Sequence, residues 1–418
     1  MESELVSGTE WTIRAVVDIA ARLGADLALL APDLKSGNLK SGTEGFAPEW
    51  ISSLISPIEH EGMDLVIPRF SYHYLHSTAS MHLVCPLITS IFNLMIRDLP
   101  GGVLGISNKL LRAYRDDSSI WSLGVGGYDL DSLFITSAIM NEARICETPL
   151  GARVCDADIE DETIWRYQTR EIFDQIEANS DWWHQRGDMV SSLARVGNQG
   201  DTRTGELIPN IEAFVERYRR GFNEFQGLYE ELLSRDICVE LRKIAGSDLE
   251  GFNFPSKIWA EIVYEFLLTY CLEQEFTKEN IMNAFIPICY GRVAGYMREL
   301  SAFRDKMIRD FPDEADHLTS LLAAEELDLQ IEEFTRGRKS FLARWIETER
   351  QLKPILPRVT YREFIPGVPL IVPKELVSSN GEVVSTDVIY KELLDRYRME
   401  FEKFIYGRLD IPRDATSI

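Results

Sequence analysis

Residues 10–36 read EWTIRAVVDIAARLGADLALLAPDLKS, and this stretch sets the architecture of the first part of the chain. Ile13, Val16, Val17, Ala20 and Leu23 recur at helical spacing, and Gly24 supplies a stop, since glycine takes the left-handed conformation that ends many helices. Leu27–Ala31 is then a short, wholly apolar run of the kind a buried parallel strand shows. It leads into Ala31-Pro32-Asp33-Leu34-Lys35-Ser36, a loop at the carboxyl end of a strand, which is the edge where open α/β sheets bind ligands.

The same grammar continues outward. Past a Gly/Ser-rich loop at 36–45, Pro48-Glu49-Trp50 opens a second helix. Met63–Pro68 forms a second strand, and a third lies around Val103–Ser107, behind Gly101-Gly102. Phe134–Met140 reads as a helix, and Ala143–Cys146 leads to a last strand near Ala152–Cys155. Helices alternating with short apolar strands argue for an α/β layer. From about residue 162, long stretches of helical periodicity take over: Thr163–Asn179, Ile211–Ile244, Ser256–Gln274, Lys278–Arg309 and Glu314–Lys353. In the third, Ile258, Trp259, Ile262, Val263, Phe266 and Tyr270 share one face, which packs against partners. Residues 354–375 are Pro-rich and extended, and a final helix spans roughly Thr386–Tyr406. The expected fold is therefore α/β plus all-α, with a sheet domain over 1–160, a helical domain over 161–353, and an extended segment with a C-terminal helix over 354–418.

Composition narrows the function classes. Of 418 residues 45% are hydrophobic and 10% aromatic, too rich for a disordered chain. With 44 basic against 67 acidic residues the formal charge is −23, which repels phosphate backbones and argues against nucleic-acid binding. A small anionic ligand is still compatible, because a few local cations or a metal ion can hold one. Six scattered cysteines with no CxxC pair, and no signal peptide, read as a reduced cytoplasmic protein. The longest apolar run, Met81–Ile96, is broken by Pro86 and Asn93 and is too short to span a bilayer, so no transmembrane segment is expected. No GxGxxG follows a strand and no GxSxG elbow occurs, which disfavours a Rossmann oxidoreductase and a Ser-His-Asp hydrolase.

A series of blocks carries a family resemblance. They are Gly8-Thr9-Glu10-Trp11-Thr12-Ile13-Arg14, Leu23-Gly24-Ala25-Asp26, Pro32-Asp33-Leu34-Lys35-Ser36, Pro48-Glu49-Trp50-Ile51, Ile67-Pro68, Pro100-Gly101-Gly102, Asp129-Leu130-Asp131 and Leu150-Gly151-Ala152-Arg153-Val154-Cys155-Asp156. The order continues into the helical part at Ile258-Trp259-Ala260-Glu261-Ile262-Val263-Tyr264 and Tyr290-Gly291-Arg292-Val293-Ala294. In that order the chain resembles GT-A glycosyltransferases of the mannosylglycerate synthase and glucosyl-3-phosphoglycerate synthase type, over most of residues 8–350. The resemblance implies a GT-A-like, Rossmann-like sheet domain followed by a large helical domain. It also implies transfer of a hexose from a nucleotide sugar to a small hydroxy-acid or sugar acceptor, with retention.

The same resemblance assigns roles. Asp33 matches the second Asp of the family's Asp-X-Asp, which holds Mg²⁺ or Mn²⁺ against the diphosphate; the first Asp position is Ala31. Asp33 also suits a turn or helix cap. The family's His ligand falls at Cys155, a poor partner for Mg²⁺, leaving Asp156 or Asp158 as the substitute ligand and Cys155 as an ordinary cysteine. Gly101 and Gly102 match a diglycine that lets backbone approach the substrate closely, although Val103 stands where an acidic residue is usual; a plain turn is the competing reading. Asp131 matches an Asp that orients the acceptor or stabilises charge at the anomeric carbon, with Asp129 and Thr136 beside it; one of the two aspartates also suits an N-cap. Arg69 and Thr78, in a segment with Tyr72, His73 and His76, would hold an acceptor carboxylate; the histidine pair has no nearby third ligand in sequence.

The resemblance further implies that the family's nucleotide-cradling strand–helix–strand, about 30 residues or more, is missing from the front. Two alternatives to an active enzyme follow. One is a catalytically degenerate homologue acting as a binding or regulatory subunit, and the other is a fragment of a longer active chain. The apolar helical faces are compatible with a homodimer.

Overall fold

The computed structural model describes residues 2–30, 35–36, 48–97, 99, 101–117, 120–121, 130–154, 162–197, 207–272, 276–352, 375–377 and 383–385. The opening helix, α1, runs Glu2–Leu23, and Gly24 ends it at φ +70, the left-handed geometry that the sequence asks of it. Strand β1 (Leu27–Leu29) is half-buried and antiparallel to its neighbour rather than buried and parallel, because it lies at the end of the sheet with a single strand partner among the described residues. A two-residue strand, β2, follows at Lys35–Ser36. Helix α2 (Glu49–Glu61) buries Trp50, Leu54 and Ile58, and Gly62 closes it at φ +67. Strand β3 (Leu65–Ser71) comes next.

The apolar run 81–96 becomes a π turn at Ser80–Val84 and helix α3 (Cys85–Phe92), all eight of whose residues are buried. Strand β4 (Leu104–Ile106), helix α4 (Asn108–Asp116) and helix α5 (Asp131–Met140) lead to β5 (Ile145–Val154). That single strand joins two stretches that the sequence reads as a lead-in and a separate strand.

The sheet order is β1-β4-β3-β5-β2, with β6 (Ala194–Arg195) beside β5. Strand β4 is antiparallel to both β1 and β3, while β3 and β5 are parallel. Consequently β1, β3 and β5 share one direction, and their carboxyl ends lie at one edge. Alternation along β3 divides the core: Val66 and Phe70 face α2, whereas Leu65 and Ile67 join the larger cluster that includes α1, α3 and α5.

The remainder is helical. The helices are α6 (Glu162–Ala178), the short α7 (Ser180–Trp183), α8 (Ile211–Leu232), α9 (Arg235–Gly246), α10 (Ser256–Leu272), α11 (Lys278–Asp310) and α12 (Ala315–Leu352). The stretch Ile211–Ile244, uniform in period, is two helices, because Leu233 adopts extended backbone and the Ser234 hydroxyl accepts from the Ile237 amide to cap a new start. On α10, Trp259, Ile262, Val263, Phe266 and Tyr270 are buried as the periodicity requires, and Ile258 is partly buried. The apolar core of the sheet continues without a break into these helices.

By its internal contacts the chain divides into units Met1–Trp345 and Ile346–Ile418. The second holds the end of α12 and an antiparallel strand pair, β7 (Glu375–Val377) with β8 (Val383–Ser385), between the stretch read as extended and the expected final helix. The expected helix Thr386–Tyr406 lies outside the described residues.

Candidate functional site

Strand direction assembles the site. The carboxyl ends of β1, β3 and β5 share an edge, and β4 runs the other way, so Gly101 and Gly102, just before it, reach the same edge. Gly101 has φ +60 and Gly102 φ +77, left-handed values that a side chain strains to adopt. This turn aims the Gly102 amide at Asp131, whose Oδ2 accepts it at 2.8 Å. Asp131 is 2% exposed and is the first residue of α5, so its carboxylate sits at the positive end of that helix. The N-cap position belongs to Leu130, which provides no side-chain cap, so Asp131 is not the N-cap. The diglycine and the aspartate, 29 positions apart in sequence, thus form one structural unit.

Thr136 is placed elsewhere. One turn and more along α5, it is 1% exposed, and its Oγ1 lies 2.8 Å from both the Ser132 carbonyl oxygen and Gln175 Oε1. Ser132 donates to Glu171 Oε1 at 2.5 Å, and Gln175 Nε2 donates to Ser132 Oγ at 2.8 Å. Thr136 therefore belongs to a buried polar joint between α5 and α6, beneath Asp131 and away from the sheet edge. No local motif in the sequence announces this joint, because its halves come from separate helices.

At the end of β3, Arg69 Nη1 lies 3.5 Å from Glu147 Oε2 on the neighbouring β5, and Glu147 is 8% exposed. Glu147 is a site-adjacent carboxylate that no motif in the sequence marks; only the β3–β5 register brings it to Arg69. The chain then turns through 72–78. His73 Nδ1 accepts from the Leu75 amide at 3.2 Å, and the His76 ring stacks on Tyr72 at 4.4 Å. Thr78 Oγ1 accepts from the Met81 amide at 3.3 Å at the entrance to the π turn.

The positions Ala31, Asp33, Asp129, Cys155, Asp156 and Asp158 lie outside the described residues. Two flanking described segments pair with each other: Lys35 with Val154 and Ser36 with Arg153, in antiparallel register. Lys35 stands two residues after Asp33, and Val154 immediately precedes Cys155. Among the described residues no group of three His, Cys, Asp or Glu side chains converges as a metal site.

Among the described residues, Cys85, Cys146, Cys238, Cys271 and Cys289 form no disulfide. Burial pushes the Cys146 thiol up to about 12, with Glu61 and Glu147 adding to the effect, and raises Cys271 and Cys289 well above the usual range. These three are neutral thiols at physiological pH, unsuited to nucleophilic attack.

A pocket of about 460 Å³ opens at the opposite ends of the strands, lined by Asn93, Ile139, Ile145, Trp182 and Arg186 among others. Helix α5 runs from the Asp131 edge at its start to this pocket at its end. None of the candidate site residues lines it. No helix among the described residues is long and apolar enough to cross a membrane. No protein-family model matches the chain, and no match emerges from comparison with curated proteins.

Proposed function

We propose that the chain is a GT-A-type glycosyltransferase that moves a hexose from a nucleotide sugar to a small hydroxy-acid or sugar acceptor, with retention of configuration. The observation that carries this reading is the Gly102–Asp131 pairing at the edge where β1, β3 and β5 end. Two segments to which the resemblance gives substrate-facing roles meet there although they are far apart in the chain. The Lys35–Val154 pairing adds support, since it joins the two segments assigned to the metal.

In the reaction the bond from the anomeric carbon to the diphosphate oxygen breaks. A new bond forms to an acceptor hydroxyl oxygen, whose proton is released, and the nucleoside diphosphate leaves. The Asp131 carboxylate would stabilise the positive charge that builds on the anomeric carbon or orient the acceptor hydroxyl. The diglycine admits the substrate close to backbone, and Arg69, half-exposed beside Glu147, would draw an acceptor carboxylate. Asp33, Asp156 and Asp158 are hard oxygen donors suited to Mg²⁺ or Mn²⁺, which would neutralise the diphosphate. Thr136, in its buried joint, supports α5 under Asp131.

The test is nucleotide release by the purified chain with UDP- and GDP-hexoses, Mn²⁺, and glycerate, phosphoglycerate or free sugars as acceptors. Release is expected, and Asp131→Asn should lower it by about 10²-fold or more. Absence of both turnover and thermal protection with every UDP- or GDP-sugar would sink the enzymatic reading. Ala31, Cys155 and Val103, at positions where the family has acidic or histidine side chains, favour a second reading, a catalytically degenerate homologue serving as a binding or regulatory subunit. Silence in the assay together with co-purification of a complete glycosyltransferase would support that alternative.

A further inference from the structure

Arg292 on α11 is 1% exposed, yet each of its hydrogen bonds among the described residues goes to a neutral group. Its Nε donates to Gln330 Oε1 at 2.9 Å, Nη1 to the Phe254 carbonyl at 2.7 Å, and Nη2 to Ser256 Oγ at 2.9 Å. Burial lowers its pKa only to about 10, with Glu326 and Glu299 farther out opposing the drop, so the guanidinium stays charged. A buried cation with neutral partners costs stability relative to apolar packing, so what it organises is informative.

It organises a relay with a fixed direction. Gln330 Oε1 can only accept, so the bond of 3.1 Å from His82 requires the proton on Nδ1. Burial, and next the charge of Arg292, hold the His82 pKa down at about 3, so the ring is neutral and Nε2 is bare. The Ser77 hydroxyl, 2.6 Å away, therefore donates to Nε2. Each member dictates the proton position of the next, and the last member lies in the loop that leaves β3 at the candidate site. Other helical residues hold the same segment: Gln330 Nε2 donates to the Met81 carbonyl at 3.2 Å, Trp259 Nε1 to the His82 carbonyl at 2.7 Å, and the Tyr296 hydroxyl to the Tyr74 carbonyl at 3.3 Å.

We propose that Arg292, Gln330 and His82 are positioning residues through which the helical part of the chain fixes the loop 72–78, and with it Thr78, at the carboxyl edge of the sheet. The relay touches no substrate. Its bearing on the acceptor rests on the transferase reading above. Its bearing on the loop does not.

The experiment uses the full chain as wild type, Gln330→Leu and Ser77→Ala, the latter removing one hydroxyl in case the former disturbs the core. Amide hydrogen exchange over 72–82 should accelerate by about tenfold in either variant, with α8 and β5 unchanged. In the nucleotide-release assay the acceptor KM should rise by about fivefold while the donor KM stays within about twofold. Unchanged exchange over 72–82, an even acceleration across the whole chain, or parallel rises of both KM values would overturn the proposal. If the wild type releases no nucleotide at all, the transferase reading falls, while the exchange data still decide whether the relay holds the loop.

Discussion

His82 shows how one residue couples burial to pH. Its folded pKa is held at about 3, far below the ordinary 6.5, mainly because burial disfavours the charged ring. The unfolded chain therefore binds a proton that the folded chain refuses throughout the window between those values. Stability from this group is complete above pH 6.5 and is lost as pH falls toward 3, at about 1.4 kcal/mol per pH unit for one proton. Urea unfolding at pH 7 and pH 5 should show a steeper acid loss in the wild type than in His82→Gln, and equal slopes would contradict the assignment. Residues of this kind are hard to read from sequence: the partner that fixes the ring, Gln330, is 248 positions away, and a lone histidine in an apolar run carries no spacing signal. Asp131 and the diglycine could be singled out because each lies in a short block that carries the resemblance. The bond between them, like Glu147 beside Arg69, appears only when the strands are ordered.

At the scale of elements, periodicity located the long helices and strands β1, β3 and β4, because a buried face imposes its repeat wherever it occurs. It passed over helices α4 and α7 and the two-residue strands β2 and β6, which are too short to show a repeat. It did not reveal the direction of β4, which depends on pairing rather than pattern, or the break at Leu233, where apolar spacing runs on while the backbone turns extended. Close approach of elements leaves a second kind of mark, in glycines. A Cβ on Gly105 of β4 would stand 2.4 Å from the Leu54 carbonyl oxygen of α2, a backbone atom that cannot move aside without shifting the helix. Gly105→Ala should destabilise by about 3 kcal/mol, from the overpacking of a tight contact. Gly227, exposed on α8 with nothing within 4 Å of its added Cβ, is the matching control. There alanine should stabilise by about 1 kcal/mol, through the lower backbone entropy of the unfolded chain. Urea midpoints that move in the same direction for both variants would rule out this account of β4 packing on α2.

Across the whole molecule, the change of pattern near residue 160 marks where helices come to dominate, though β6 still joins the sheet, and the apolar core runs through it. Leu65 and Ile67 of β3, Leu104 of β4, Phe173 of α6 and Phe285 of α11 belong to one continuous cluster within Met1–Trp345. Phe173 is a junction: it is fully buried, with its ring 5.3 Å from Tyr270 and 5.7 Å from Phe285 by centroid. Removing its ring should leave a cavity and cost about 3–5 kcal/mol. If the shared core makes the sheet and the helices a single cooperative unit, that loss is felt everywhere at once, since global unfolding is then the event that opens the most protected amides of both parts. Hydrogen exchange of Phe173→Ala should therefore show the slowest amides of β3 and β5 losing protection by the same factor as those of α10 and α11. Retained protection in the strands with loss confined to the helices would mean two separately stable parts. The Arg292 relay would then be a contact between neighbours that open independently, and it could not fix the loop 72–78 against the sheet edge.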